Sequence, residues 1–187
     1  MAAHELILGG QRSGKSRCAE SRASLWLTEQ THSAVLLATA LAGDEEMRSR
    51  IARHRLDRLT RLPGLHAIEV PVDLPQAIHA HAAPHRLVVV DCLSLWLTNL
   101  LMPMQGPAID SAALATAIDS LGKALMDANG PVVMVSNEIG LGVTPLSTEA
   151  RRFVDELGRL HQAVAARCAR VTLMVAGIEV AVKRESP

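Results

Sequence analysis

The chain has 187 residues, enough to bury a sizeable core within one domain. Lys plus Arg and Asp plus Glu number 19 each, and aromatic residues make up 2 % with no Tyr. That balance argues against a nucleic-acid coat, an anionic-membrane binder or a base-stacking platform. Cys18, Cys92 and Cys168 are far apart and form no CxxC or Cys/His cluster, so neither a disulfide framework nor a structural zinc site is expected. No apolar run reaches the roughly 18 to 20 residues of a membrane span, and reduced cytosol is the expected compartment.

Short apolar runs alternate with longer amphipathic ones, and no linker or repeat divides residues 1–187. Glu5 to Leu8 reads as a strand and Gly14 to Leu27 as a helix. Ala34 to Thr39 is strand-like, and Asp44 to Leu59 is a charged helix with Asp44 in the N-cap position. A short strand at Ala67 to Val70 and a helix at Leu74 to Ala82 follow. Leu87 to Asp91 has the β-branched character of a buried parallel strand. Helices are expected at Ser94 to Leu101 and Ser111 to Asn129, a strand at Pro131 to Ser136, and a long helix at Ser147 to Ala169. Val171 to Val182 supplies one or two closing strands around Gly177. The alternation implies a single α/β domain with a largely parallel sheet, whose ligands bind at the carboxyl ends of the strands.

Gly9-Gly10-Gln11-Arg12-Ser13-Gly14-Lys15-Ser16 fits G-x-x-x-x-G-K-[ST], between a strand and a helix. Glycines let the backbone N–H groups converge on phosphate oxygens, with the positive end of the helix behind them. Lys15 would reach the β- and γ-phosphates, and Ser16 would hold Mg²⁺ through its hydroxyl. A Gly-rich turn with an incidental lysine is the competing reading. Asp91 closes four apolar residues, which suits either a Mg²⁺-binding carboxylate beside the phosphates or a cap of the next helix.

Arg50, His54 and Arg58 recur every fourth residue and share one helical face, with Arg53 and Arg55 flanking the histidine. Guanidinium groups there would keep the imidazole neutral and nucleophilic and could clamp phosphates. A solvated arginine-rich helix with a surface histidine accounts equally for the spacing. The other seven histidines show no comparable setting, and His79, His81 and His85 look like a polar surface stretch. Asn137-Glu138 follows a buried strand and is followed by Gly140 and Gly142, either a crevice lining or simply a strand-to-helix turn.

Taken together these residues resemble the bifunctional adenosylcobinamide kinase/adenosylcobinamide-phosphate guanylyltransferase family. The family's G-G-x-R-S-G-K-S is met by Gly9 to Ser16, its D-x-E-M…R-I-x-x-H-R-x-x-R by Asp44 to Arg58, and its D-C-x-(S/T)-x-W-(L/V)-(T/S)-N-L-L by Asp91 to Leu101. Its V-(S/T)-N-E-(V/I)-G-x-G matches Val135 to Gly142, and Ala150 to Leu160 matches a further stretch with one shift of spacing. The resemblance implies a P-loop NTPase-type, RecA-like three-layer fold and two reactions. Adenosylcobinamide is phosphorylated with ATP or GTP; its phosphate then takes GMP from GTP through a covalent intermediate on His54. It further implies nucleotide contacts from Gly9 to Ser16, Ala38, Thr39 and Ala40, Arg55, Leu56, Asp57 and Arg58, Glu69 and Asp91, with Mg²⁺ on Ser16 and Asp91. A homotrimer in the cytoplasm, with no nucleic acid partner, is also implied. The segment from Arg58 to Glu69 is three residues longer than the family pattern and lacks its Trp and Pro, so Glu69 is matched by its place ahead of Pro71. A plain P-loop small-molecule kinase needs the phosphate loop and Asp91 but not His54; a P-loop ATPase module needs neither the histidine nor the Asn-Glu pair.

Overall fold

The computed structural model of the chain describes residues 3–43 and 45–184, and the side chains of Met47, Arg50, His54 and Leu59 lie outside that description. Asp44, the expected N-cap of the second helix, is also outside it.

Chain order is β1 (Glu5–Gly9), α1 (Lys15–Trp26), β2 (Ser33–Ala38), α2 (Glu45–Arg61), β3 (Leu65–Glu69), α3 (Leu74–His81), β4 (Arg86–Asp91), α4 (Leu93–Leu101), α5 (Ser111–Asp127), β5 (Val132–Asn137), α6 (Thr148–Ala165), β6 (Arg170–Val175) and β7 (Ile178–Arg184). The strands form one sheet in the order β3-β2-β4-β5-β1-β6-β7. All neighbours are parallel except β6 and β7.

Side chains alternate across the sheet, so the apolar runs of β2, β4 and β5 feed two cores at once. Val35, Leu37, Val88, Val90, Val132 and Met134 pack beneath α3, α4, α5 and α6. Ala34, Leu36, Leu87, Val89, Val133 and Val135 face the other way, onto Cys18, Ala19 and Ala23 of α1. The three cysteines are free and buried.

Local signals place the helix ends. Asp110 and Ser147 accept hydrogen bonds from the backbone N–H groups of Ala113 and Ala150 and so start α5 and α6. The helix expected to reach Ala169 stops at Ala165. Arg167 donates to the Ala163 carbonyl at 2.7 Å and Lys183 to the Ala165 carbonyl at 3.0 Å, satisfying the last turn where the chain swings into β6. The helix expected to reach Asn129 likewise ends at Asp127. The last segment is two strands, joined by a two-residue turn with Ala176 at φ 51° and Gly177 at φ 83°. Positive φ at both positions matches the twist of the hairpin. Among the described residues, no helix is long and apolar enough to cross a membrane.

Candidate active site

The loop after β1 curls because its geometry demands glycine. Gly9 has φ 152°, and a Cβ there would lie 2.6 Å from both the Met174 carbonyl oxygen and Ser13 Oγ. Gly14, at φ 101°, caps α1, and a Cβ there would sit 3.3 Å from the Gly177 Cα. Arg12 adopts the left-handed region without being glycine, at φ 56°, a conformation that costs energy and collects at functional loops. Gln11 and Arg12 are exposed, and Ser16 is half-buried.

Lys15 is only 6 % exposed, and its Nζ donates to the Gly10 carbonyl at 2.6 Å. Burial lowers its pKa, opposed by charge at Cys92 and Asp91. Burial also pushes the Cys92 thiol up to about 11, so Asp91 is the anion beside Lys15 at neutral pH. Asp91 ends β4, level with Ala38 of β2 and Val135 of β5, and is half-buried. The helix that follows is capped by Cys92, and by no side-chain bond, so Asp91 is not its N-cap.

A set of hydrogen bonds the sequence reading did not foresee joins the neighbouring loops. The Thr39 hydroxyl is fully buried, donates to the Cys92 carbonyl at 2.7 Å and accepts from the Cys92 N–H at 2.9 Å. Its backbone N–H reaches the Asp91 carbonyl at 3.1 Å. Asn99 of α4 donates to the carbonyls of both Thr39 and Pro71, at 2.8 and 2.9 Å, and the Trp96 indole donates to that of Val72 at 2.7 Å. The side chain of Thr39 is thus committed to holding the backbone beyond Asp91 in place. The Cys-x-Ser-x-Trp-x-x-Asn pattern carried this signal, because each polar member meets a loop carbonyl or hydroxyl.

Asn137 and Glu138 leave β5 beside the phosphate loop, where the Glu138 N–H donates to the Gly9 carbonyl at 2.9 Å. The Glu138 carboxylate accepts from the Gly140 N–H at 2.6 Å and lies 3.7 Å from His161 Nδ1. His161, 7 % exposed on α6, bonds the buried Ser136 hydroxyl at 2.8 Å. His4 is buried as well: it accepts from the Val132 N–H and meets the Leu125 carbonyl. Two histidines therefore have structured settings that spacing does not reveal; His79 and His85 are exposed as expected.

Helix α2 leans on α1 and on the end of β3. Arg61 donates to Glu20 of α1 at 3.2 Å, and Arg58 approaches the same carboxylate at 3.9 Å. Arg58 Nε is buried without a hydrogen-bond partner among the described residues. Arg55 donates to Glu69 at 2.9 Å, and both are exposed. Leu56 and Asp57 are exposed too, and Ala38 and Ala40 half-buried. The His54 side chain lies outside the described residues; the helix itself sets the residue one turn before Arg58.

Among the described residues no three His, Cys, Asp or Glu gather as a metal cage. A hydroxyl at Ser16 and a carboxylate at Asp91 are hard oxygen donors of the kind Mg²⁺ takes when substrate phosphates and water complete its shell.

Comparison with known proteins agrees with this geometry. The ATPase domain of a P-loop helicase superposes with a TM-score of 0.56 at 12 % identity, covering 98 % of this chain and 78 % of that one. The flagellar accessory protein FlaH of Methanocaldococcus jannaschii gives 0.52 at 10 % identity, covering 97 % and 78 %. Both share the RecA-like P-loop fold. In sequence, the bifunctional adenosylcobalamin biosynthesis protein CobP of Pseudomonas aeruginosa is 45 % identical over 97 % of this chain and 98 % of its own. The corresponding CobU proteins of Escherichia coli and Salmonella typhimurium are 36 % and 35 % identical, each over 95 % of this chain and 98 % of theirs. The family model described as cobinamide kinase/cobinamide phosphate guanyltransferase matches residues 5–182, and the chain belongs to that family.

Proposed function

We propose that the two activities of the family divide between the two halves of this site. In the kinase step, the hydroxyl oxygen of the adenosylcobinamide side arm bonds the γ-phosphorus of ATP or GTP. The bond to the β-bridging oxygen breaks, the nucleoside diphosphate leaves and the hydroxyl proton is lost. The N–H groups of Gly9 to Ser16 and the Lys15 ammonium hold the charge that develops on the phosphates. Mg²⁺, held by Ser16 and Asp91, would neutralise the β- and γ-oxygens.

In the guanylyl step, an imidazole nitrogen of His54 bonds the α-phosphorus of GTP and pyrophosphate departs. A phosphate oxygen of adenosylcobinamide phosphate then displaces His54, giving adenosylcobinamide-GDP. Covalent carriage replaces one difficult exchange by two easier ones. The docking of α2 on α1 through Arg58 and Arg61 carries this reading, because it brings the histidine helix against the helix that leaves the phosphate loop. The unpartnered Arg58 Nε is a donor suited to a nucleotide phosphate. Glu69, already accepting from Arg55, is placed to take the N1–H and N2–H₂ of guanine.

GTP labelled at the α-phosphate tests the assignment. Label should remain on the protein through an acid-labile bond and be missing from His54→Ala; a wild type that retains none overturns the guanylyl step. We further infer a cytoplasmic homotrimer. Leu141, Val143 and Leu146, all more than 80 % exposed in the β5–α6 loop, support an apolar contact between copies. Sedimentation should give the trimer mass, and a monomer at working concentration is the contrary result.

A further inference from the structure

Beside the phosphate loop lies a groove of about 490 Å³ that neither step above uses, within the roughly 300–1,000 Å³ of small-molecule sites. Ser13, Arg17 and Ser21 form one wall, and Ala176, Gly177 and Glu179 of the β6–β7 hairpin form the other. The hairpin is pinned to the loop, since the Gly177 N–H donates to the Ser13 carbonyl at 3.0 Å. Ser13 Oγ, in this wall, is buried and has no hydrogen-bond partner among the described residues. The groove therefore opens off the first turns of α1, the end of the loop where a bound triphosphate continues into its nucleoside.

Sheet order separates this groove from Glu69. Strands β2, β4 and β5 stand between β3 and β1, whereas the hairpin begins next to β1. At about 4.8 Å per strand, β3 and β6 are about 24 Å apart, farther than one purine nucleoside reaches. A nucleotide anchored on Gly9 to Ser16 can point its nucleoside toward the hairpin or toward α2 and β3, but not toward both. The kinase step must present the γ-phosphorus to its acceptor. The guanylyl step must bring the α-phosphorus to the helix of His54.

We propose that the α1/hairpin groove binds the ribose and base of the phosphate donor in the kinase step, as a second nucleoside site distinct from the guanosine site of the guanylyl step. The Arg17 guanidinium supplies a planar face for a purine in a chain nearly without aromatic residues. Glu179 is already engaged by Arg22 at 2.6 Å and Cys18 at 3.4 Å, so the groove recognises the nucleoside by shape and stacking. The proposal rests on the two-step reading above.

Ser21→Trp fills the groove. It should raise the KM for ATP in adenosylcobinamide phosphorylation at least tenfold while changing the KM for GTP in enzyme–GMP formation less than twofold. Equal effects on both steps, or none on the kinase KM, overturn the groove. A wild type lacking either activity would instead overturn the two-step reading. Independently of any variant, 8-azido-ATP photolysed on the wild-type protein should label peptides from residues 13–21 or 174–181; label confined to α2 or β3 overturns the proposal.

Discussion

The imidazole of His161 is held 2.8 Å from the hydroxyl of Ser136, both of them buried, and that contact links α6 to the strand carrying Asn137 and Glu138. His161→Phe would leave the Ser136 hydroxyl desolvated without a partner, costing about 1–3 kcal/mol. For a chain of this length that is a fall in Tm of about 2–10 °C. Adding Ser136→Ala removes the stranded group, so the double variant should recover most of the loss. Calorimetry on the four proteins of the cycle checks this; additive losses would show that the pair is not coupled.

Acid should weaken the fold through histidines. Burial lowers the pKa of His4 more than its Leu125 hydrogen bond raises it, and burial lowers that of His161 more than Glu138 raises it. Each then binds a proton more readily unfolded than folded. Their contribution is complete above the ordinary histidine value near 6.5 and is lost as pH falls from there toward the folded pKa values. Urea midpoints measured from pH 7.5 to 5.5 should decline, and His4→Gln should flatten the decline. A midpoint independent of pH across that interval contradicts the assignment.

Lys15→Ala should separate activity from stability. Single-turnover transfer of the γ-phosphoryl group should fall by a factor of about 10²–10³, the scale of losing one preorganised donor. The fold should change by no more than about 1 kcal/mol, because a buried ammonium that loses water for one carbonyl bond contributes little net stability. Quenched-flow kinetics and thermal melts on the same preparation test both parts.

Thr39→Val keeps the shape of the side chain and removes its hydroxyl. The Cys92 N–H and carbonyl each lose a partner, for a cost of about 2–4 kcal/mol. The KM for ATP should rise several-fold, because the backbone holding Asp91 loosens. Thr39→Ser, which restores the hydroxyl, should return both values to within about twofold of wild type; failure of that rescue would assign the effect to the methyl group.

The sheet and phosphate loop were legible because they rest on local rules. Apolar runs ending in Asp91 and Ser136, and a glycine-bounded loop before Lys15, specify strand, turn and helix within a few residues. Thr39 was legible as part of the site by motif, but its role was not. A threonine that bonds a backbone 53 positions away leaves no periodic trace. His161 was missed for the same reason, since Ser136 and Glu138 approach it only through the packing of α6 on the sheet. Helix ends after α5 and α6 were overextended because Ala, Arg and Cys continue a helical pattern that the Arg167 and Lys183 caps interrupt.

The bonds from Asn99 and Thr39 have a kinetic consequence. The segments after β2, β3 and β4 share buried carbonyl and amide partners, so none can open far without releasing the others. Amide protons across the three should exchange with solvent as one cooperative unit, although their segments come from separate stretches of the chain. A rim of this kind passes from ordered to open in a single event, and the frequency of that event sets how often a large corrinoid could be admitted.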